Sequence, residues 1–414
     1  RPSFFRKEVN PPLILLGCRC KMNIRPIPAA HGVGFFSMER LPQFAGKYRE
    51  EQVGRYWNYY VTPKCWAWPY AALSASGVNN PQQYVIDGFS PNLNKSLHVG
   101  HLRQLALANS LNKILGYNGQ PKVTFVSLLG ASQGVYQYAV DELDGWFKFI
   151  NYSPVLYYDI LMPKDQDIVV RRKVLKPDAN GNETEVEVWD GPKGEVIVTR
   201  SDGRSTYAFH DIAFARVVKP THYITGVEQK EHFESLGFGD KHLGMGLVLG
   251  SDGKKMKSRS GDSVSAKEVL EQIIDNLDPT ENPKKVAWNV AAWNFLHVAR
   301  GKNVKFVPEE WTKPEAPGMY ITYTYARVKS ALYVQKGERP LFVDEEDQTI
   351  TQADADLMGF ADQYKWAVQR SVDGLDPAIL ANFAHDLAAK LGVAYHAEKI
   401  KGVDTASAQQ SQPL

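Results

Sequence analysis

Short apolar runs bounded by turn residues predict a series of strands in the part of the chain before residue 265. Runs of this length are typical of strands that are buried in a sheet. They lie at Tyr84–Ile86, Val123–Leu129, His222–Thr225 and His242–Leu249. Between the second and third runs, the polar stretch Lys176–Glu183 predicts a hairpin at the surface.

Apolar positions that recur every three or four residues predict helices between and after these strands. The clearest face follows the first strand and consists of Leu102, Leu105, Ala106, Leu111, Ile114 and Leu115. Gly116, Asn118 and Gly119 then supply a stop signal. The same spacing predicts helices at Ser205–Val217, with Ser205 as the cap, and at Ala266–Leu277, Pro283–Arg300, Ala353–Val372 and Pro377–Ala397.

Composition narrows the class of protein without naming a function. With 414 residues, 43% hydrophobic and 23% charged, the chain can bury a large core and form two or three domains. A net charge of +2 argues against tight non-specific DNA binding but permits a local basic groove. The three cysteines, Cys18, Cys20 and Cys65, have neither a disulfide framework nor zinc spacing, so we expect no metal site and a reducing, cytoplasmic setting. No apolar run approaches the ~20 residues that a membrane span requires, so no membrane is expected.

The stretch Ser90–Arg103 crosses from the first strand into the first helix and carries two histidines. A helix N-terminus offers unpaired N–H groups and a positive dipole end, which favour phosphate. Gly100 has no Cβ, so a nucleotide can approach the backbone there. His98 and His101 are three residues apart on one helical face, so both can donate to one phosphate. The alternative is a chance pattern at a helix cap.

Two further features have both a functional and a structural interpretation. Lys254–Asp262 is a basic loop, which could hold phosphate or could simply be exposed. Tyr207 and Asp211 lie four apart on one helix face, which could be a binding surface or a solvated face. A carboxylate is the natural partner of a guanidinium, because the two groups form a bidentate pair.

Motifs in three parts of the chain resemble class I aminoacyl-tRNA synthetases of the arginyl type. Ser90-Pro-Asn-x-x-Lys-x-Leu-His-x-Gly-His-Leu-Arg103 resembles the first class I signature, HIGH, and Lys255-Met-Lys-Ser-Arg-Ser-Gly-Asp262 resembles the second, KMSKS. Tyr207-x-x-x-Asp-x-Ala213 is similar to the family's site for the substrate guanidinium. Pro317–Ser330 resembles the entry to the family's helical anticodon-binding domain. The resemblance covers roughly residues 84–400.

The resemblance implies an α/β fold, with a Rossmann-like parallel sheet domain and a C-terminal α-helical bundle domain. It divides the chain into an N-terminal extension (1–80), the first half of the catalytic domain (81–135), a connecting insertion (136–200), the second catalytic half (201–265), a helical stem with an anticodon-binding-like domain (266–403) and a disordered tail (404–414). Within the extension, the aromatic and basic segment Met38–Trp68 could pack on a neighbouring domain or face RNA.

The resemblance also implies roles for individual residues. Catalytic roles, including the clamping of phosphate by the cations, fall to His98, His101, Lys95, Lys255 and Arg259. ATP binding falls to Gly100, Glu228, Gly246, Val248 and Met256. Amino-acid binding falls to Asp87, Ser90, Asn92, Tyr207, Asp211 and Gln229, with Asp87 standing where the family usually has Glu.

By resemblance, the chain uses ATP and Mg²⁺ to convert arginine to arginyl-adenylate, and then transfers the arginyl group to tRNA(Arg) as a monomer. Two other interpretations stay open at this point. One is a stand-alone amino acid-adenylating ligase with a non-tRNA acceptor, and the other is a non-catalytic tRNA-binding relative.

Overall fold

A computed structural model describes residues 24–26, 34–40, 48–60, 62, 84–89, 97–117, 123–129, 146, 156–159, 169–254, 256, 264–334 and 351–398. They fall into two compact units. One contains the described residues of Asn79–Met319 and Gly374–Ala378, and is called the sheet unit here. The other contains the described residues of Arg1–Val78, Tyr320–Asp373 and Ile379–Leu414, and is called the helical unit. Within the described residues, no helix is both long and apolar enough to cross a membrane.

The sheet unit is built on a five-stranded parallel sheet. Its strands are β5 (Tyr84–Asp87), β6 (Val123–Leu129), β7 (Leu156–Asp159), β11 (His222–Gly226) and β12 (His242–Met245), in the order β12-β11-β5-β6-β7. Every neighbouring pair in this sheet is parallel. The strand order reverses direction between β5 and β11. Open α/β sheets bind ligands at such a switch point, outside the carboxyl ends of the strands.

Three of the predicted strands are confirmed, but the predicted strand His242–Leu249 is wrong as a single element. The chain leaves the sheet after Met245, and a short strand β13 (Val248–Leu249) pairs in parallel with β14 (Val304–Lys305). The Gly246 N–H donates to the Arg300 carbonyl at 2.9 Å. A Cβ at Gly246 would overlap the backbone of Lys302. The glycine therefore lets the 300–303 segment divert the strand.

Helices cover the sheet and extend the unit. They are α1 (Val99–Tyr117), α2 (Tyr207–Val218), α3 (Lys230–Ser235), α4 (Ala266–Asp275), α5 (Pro283–Leu296) and α6 (Pro308–Trp311), with 3₁₀ turns at Val227–Gln229 and Gly239–Lys241. The predicted cap of α2 is wrong by one residue. Ser205 pairs with Thr199 in an isolated bridge, and Thr206 is the N-cap residue instead.

The polar stretch between β7 and α2 forms a separate antiparallel sheet, and the predicted hairpin is confirmed. Its strands are β8 (Arg172–Pro177), β9 (Glu183–Gly191) and β10 (Gly194–Thr199), in the order β10-β9-β8. Asp178 closes the first turn, because its carboxylate accepts the N–H groups of Asn180 and Asn182 at 2.8 and 2.9 Å. The second turn lies against α3, where Lys193 pairs with Glu234.

Arg103 of α1 ties the first helix to the diverted strand. Its side chain is fully buried. Nη1 donates to the Gly246 carbonyl at 2.6 Å, and Nη2 donates to the Arg300 carbonyl at 3.3 Å. Burial lowers the pKa of Arg103 to about 10, so the guanidinium stays charged at neutral pH. Next to it, Gln104 donates to the Ile224 carbonyl of β11 at 2.6 Å.

We expect Arg103→Met to lower the free energy of unfolding by about 3 kcal/mol, because buried carbonyls lose their donor. Urea unfolding monitored by tryptophan fluorescence measures the change. Lys113→Met is the matched control, since Lys113 is exposed on the same helix and its loss should change the stability little. Equal stabilities for the two variants would contradict the proposed tie between α1 and the strand.

The helical unit joins an antiparallel sheet to four helices. The elements are β1 (Ile24–Pro26), β2 (Gly34–Ser37), β3 (Arg49–Val53), β4 (Tyr56–Tyr60), α7 (Pro317–Val334, entered from the sheet unit), α8 (Gln352–Ala361), α9 (Tyr364–Gly374) and α10 (Ala378–Glu398). The sheet order is β1-β2-β4-β3. The predicted single helix Ala353–Val372 is wrong, because the Gln363 N–H bonds to Phe360 three residues back and breaks it into α8 and α9.

The aromatic and basic segment Met38–Trp68 uses one face of its sheet for packing. Tyr48 and Tyr59 are buried in a cluster with Phe360 and Phe383 of α8 and α10. The sheet therefore packs on the C-terminal helices rather than on the element that follows it along the chain. Arg49 lies over the ring of Tyr60 at 4.1 Å.

Candidate active site

The chain that follows the second signature meets the first signature at the N-terminus of α1. The Ala266 N–H donates to the Leu97 carbonyl at 2.7 Å, and His98 forms an antiparallel bridge with Ser265. Ser265 also caps α4 through a reciprocal box with Glu268. The chain that leaves the second signature is therefore fixed beside the first. The predicted site residues Ser90, Asn92, Lys95, Lys255 and Arg259 lie outside the described residues.

His98 and His101 lie against each other at the mouth of α1. Their ring centroids are 3.8 Å apart, with 20° between the ring planes. The His98 N–H donates to Nδ1 of His101 at 3.0 Å, and the Gly100 N–H donates to Nδ1 of His98 at 3.1 Å. Because both Nδ1 atoms accept hydrogen bonds, each neutral ring carries its proton on Nε2. The arrangement makes both histidines Nε2–H donors.

Gly100 is required by the histidine pair itself. A Cβ at this position would lie 2.9 Å from Cε1 of His98 and 3.0 Å from its Nδ1. The ring of His98 thus occupies the space beside the Gly100 backbone that a nucleotide was predicted to approach. Its role in ATP binding stays a prediction.

Burial, followed by the neighbouring His98, lowers the pKa of His101 to about 3. The His101 imidazole is therefore neutral throughout the physiological range. Burial also lowers the pKa values of His222 and His242, which begin β11 and β12. A neutral imidazole donates to a phosphate oxygen without a fixed positive charge.

This depressed pKa predicts a specific dependence of stability on pH. Unfolded His101 binds a proton below about pH 6.5, whereas folded His101 does so only near pH 3. The free energy of unfolding should therefore fall as the pH is lowered through 6.5. In urea unfolding at about pH 7.5 and about pH 5, His101→Asn should lose less stability on acidification than the parent protein does. An identical loss in both proteins would contradict the assignment.

Two carboxylates and a tyrosine lie near the switch point. Asp87 ends β5 and is buried, and Tyr223 is its cross-strand neighbour on β11. Tyr223 is 2% exposed, and its hydroxyl has no hydrogen-bond partner within the described part of the chain. Burial raises the pKa of the Tyr223 phenol, and Asp87 and Asp211 add to the effect. Both carboxylates thus act on the same phenol, which stays protonated.

Asp211 of α2 is held by a histidine from α3. Nε2 of His232 lies 2.7 Å from Oδ2 of Asp211. The two side chains are 32% and 22% exposed, so this pair is at the rim of the site. Tyr207, predicted to act with Asp211, begins α2 and is 69% exposed. The structure thus gives Asp211 a partner that the sequence did not suggest.

The turn after β11 carries Glu228 and Gln229, and both residues are exposed. Gly226 precedes them, and a Cβ there would overlap the Glu228 carboxylate. The Glu228 side chain therefore folds back over the carboxyl end of β11. The structure leaves the side chain of Gln229 at the surface beside this end.

Around β13, the backbone of Gly246 is fully engaged, since its carbonyl accepts from Arg103 and its N–H donates to Arg300. The Val304 N–H of β14 and the Phe306 N–H just after it donate to the Leu247 and Leu249 carbonyls at 2.9 and 2.8 Å. In a parallel pair, the peptide groups of the residue between them point the other way. The N–H and C=O groups of Val248 therefore point away from β14, whereas those of Gly246 are bonded to Arg103 and Arg300. Met256 is partly buried near Gly250.

Sequence reasoning missed Tyr223 and the contact made by His232. The sequence showed each residue near a strand end, but neither occurs in the quoted motifs. The alternation of faces along β11 was the one signal that could have placed Tyr223 with Asp87, because side chains alternate along a strand.

Comparisons with known proteins agree with this geometry. Residues 321–412 match the DALR anticodon binding domain family. The chain is 22% identical to an arginine–tRNA ligase of Clostridium kluyveri, with 88% of this chain and 84% of the relative covered. It is 29% identical to an arginine–tRNA ligase of Limosilactobacillus reuteri, with 57% of this chain and 46% of the relative covered.

Solved structures show the same fold. The arginyl-tRNA synthetase of Thermus thermophilus superposes with a TM-score of 0.62 and 19% identity, covering 87% of this chain and 82% of that one. A Mycobacterium tuberculosis methionyl-tRNA synthetase in complex with methionyl-adenylate gives 0.54 and 11%, covering 78% and 86%. With the parallel sheet and the helical C-terminal region, these similarities show that the chain is a class I arginyl-tRNA synthetase-like protein.

Proposed function

We propose that this chain is an arginine–tRNA ligase, which activates arginine with ATP and transfers it to tRNA(Arg). The observation that carries the proposal is the histidine pair at the mouth of α1, in the same unit as the Asp211 carboxylate of α2. The histidine pair suits a triphosphate and the carboxylate suits a cationic amino acid. The relatives named arginine–tRNA ligase support the same assignment.

In the first step, a carboxylate oxygen of arginine attacks the α-phosphorus of ATP, and the bond to the β-phosphate oxygen breaks. Arginyl-adenylate and pyrophosphate result. The Nε2–H groups of His98 and His101 donate to the phosphate oxygens as charge develops on them. No protein base is needed, since the attacking carboxylate is already ionised.

The cations Lys95, Lys255 and Arg259 are proposed to hold the departing pyrophosphate. Among the described residues, no three His, Cys, Asp or Glu side chains lie together as they would around a metal ion. Mg²⁺ would therefore arrive with the ATP phosphates, as is usual for this ion. The Val248 peptide points away from β14 and is available to pair with the adenine edge, while Glu228 would hold the ribose.

Amino-acid selection is assigned to the α2 side of the crevice. Asp211 would accept the planar guanidinium in a charge-assisted pair, with Tyr207 and Gln229 beside it. Asp87, together with Ser90 and Asn92, would bind the α-ammonium and carboxylate groups. Since Asp87 is buried while Asp211 lies at the rim, the ammonium end of the substrate would sit deeper at the sheet.

In the second step, a hydroxyl of the terminal ribose of tRNA attacks the acyl carbon, and AMP leaves. The match of residues 321–412 to the DALR anticodon binding domain family supports tRNA as the acceptor. We place the reaction in the cytoplasm, where tRNA, arginine and ATP occur together.

Aminoacylation tests this proposal. The full chain is incubated with ATP, total tRNA and radiolabelled arginine, and label on acid-precipitated tRNA is counted. We expect ATP-dependent charging with arginine and none with lysine at equal concentration. Charging with another amino acid, or formation of adenylate without any charged tRNA, would overturn the assignment.

A further inference from the structure

His232 makes a direct side-chain contact to the carboxylate assigned to the substrate guanidinium. Its Nε2 lies 2.7 Å from Oδ2 of Asp211, well within hydrogen-bond distance. The two residues come from different elements, α2 and α3, and are 21 residues apart in sequence. A contact of this kind fixes the carboxylate relative to the sheet, which α2 alone would leave free to rotate about its side-chain torsions.

The His232 ring is itself held in place. It lies edge-on to Phe233, with centroids 5.6 Å apart. Phe233 is buried, packs on Tyr223 at 5.0 Å and stacks on His242 at 4.9 Å. The ring that supports His232 is thus anchored to β11 and β12.

The hairpin of the small sheet also secures α3 from outside. Lys193, in the β9–β10 turn, pairs with Glu234. A Cβ at Gly191 would overlap the Ser235 carbonyl, so this turn lies directly against the helix. Ser235 in turn donates its hydroxyl to the His232 carbonyl at 2.7 Å. The position of His232 is therefore determined by neighbours on both sides.

A carboxylate has about four lone-pair positions, so one bond to His232 leaves enough acceptors for a bidentate guanidinium. A His232 ring that donates from Nε2 to Oδ2 fixes which of these positions face the substrate. Second-partner hydrogen bonds of this type orient binding groups in many sites, and their loss typically costs 10–100-fold in affinity at metal sites.

We propose that His232 is a positioning residue for arginine recognition, which orients the Asp211 carboxylate through its Nε2–H. The inference rests on the proposed function, because it assigns a task to the amino-acid pocket of that activity. His232 contacts the selecting carboxylate and takes no part in the transfer of the adenylyl group.

The test compares His232→Leu with His232→Gln, in which the amide N–H can replace the Nε2–H. Arginine-dependent charging of tRNA gives KM for arginine, KM for ATP and kcat. We expect His232→Leu to raise KM for arginine about tenfold, with kcat and KM for ATP nearly unchanged. His232→Gln should recover most of the loss. Glu231→Gln, an exposed neighbour on α3, is the control and should behave like the parent protein.

Three outcomes overturn the inference while the parent protein charges tRNA with arginine. An unchanged KM for arginine in His232→Leu would show that the contact does not orient Asp211. A lowered KM would show that His232 competes with the substrate for the carboxylate. Equal defects in the Leu and Gln variants, with a lower unfolding temperature in both, would reduce His232 to a packing role. Failure of the parent protein to charge arginine would instead count against the proposed function.

Discussion

Replacing Asp211 by asparagine is expected to lower kcat/KM for arginine about a thousandfold, because a charge-assisted partner of the guanidinium is lost. Asparagine keeps the shape of the side chain and can still interact with His232. It presents an amide N–H towards the substrate, however, where a guanidinium offers only donors. The loss should be concentrated in arginine recognition, and KM for ATP should change little.

Charging kinetics at saturating ATP and tRNA measure this effect. Asp275→Asn is the matched control, since Asp275 is an exposed aspartate at the end of α4. Citrulline carries a neutral urea in place of the guanidinium. In Asp211→Asn, kcat/KM for citrulline should approach that for arginine. Unchanged arginine kinetics in that variant would place the amino-acid pocket elsewhere.

Removing either histidine at the mouth of α1 is expected to slow adenylate formation by about 10²–10³-fold, the usual effect of deleting one donor to a transition-state oxyanion. The changes are His98→Ala and His101→Ala. Because the donors act on charge that develops only in the transition state, kcat and kcat/KM should fall together. The rate of adenylate formation in the double variant should fall by less than the product of the two single effects. The two residues are coupled, since the rings stack and the His101 ring accepts the backbone N–H of His98.

Single-turnover formation of AMP-linked arginine, measured in a quenched-flow instrument, reports this step directly. His297→Ala provides the control, because His297 follows α5, stacks on Trp293 at 4.2 Å and is not among the proposed site residues. A loss confined to KM for ATP would indicate that the two histidines bind the ground state only. Such a result would remove them from the transition-state role.

Much of the sheet unit could be predicted from local patterns. The run Val123–Leu129 forms a strand with the predicted bounds, and the apolar face of α1 was correct because a buried helix needs that spacing. The histidine pair was predicted from a spacing of three on one helix, but His98 is the residue before α1, and the pair forms across the start of the helix. Local periodicity is sufficient where the contact is within one element.

Contacts between distant elements were not predictable in this way. The break at Gly246 depends on the backbone of Lys302, which belongs to a distant part of the chain. The same limit applies to His232, whose contact with Asp211 joins two helices through a strand that lies between them. Sequence motifs identified the carboxylate, but the residue that orients it required the tertiary fold.

Arginine-dependent exchange of pyrophosphate into ATP tests the central claim most directly. The exchange is run with the full chain, each common amino acid in turn, and with or without total tRNA. The account predicts exchange with arginine alone among the amino acids, in the presence of tRNA and followed by arginine on the tRNA. Exchange without tRNA and without any charged product would contradict it and indicate a stand-alone adenylating ligase, and no exchange with any amino acid would contradict it as well.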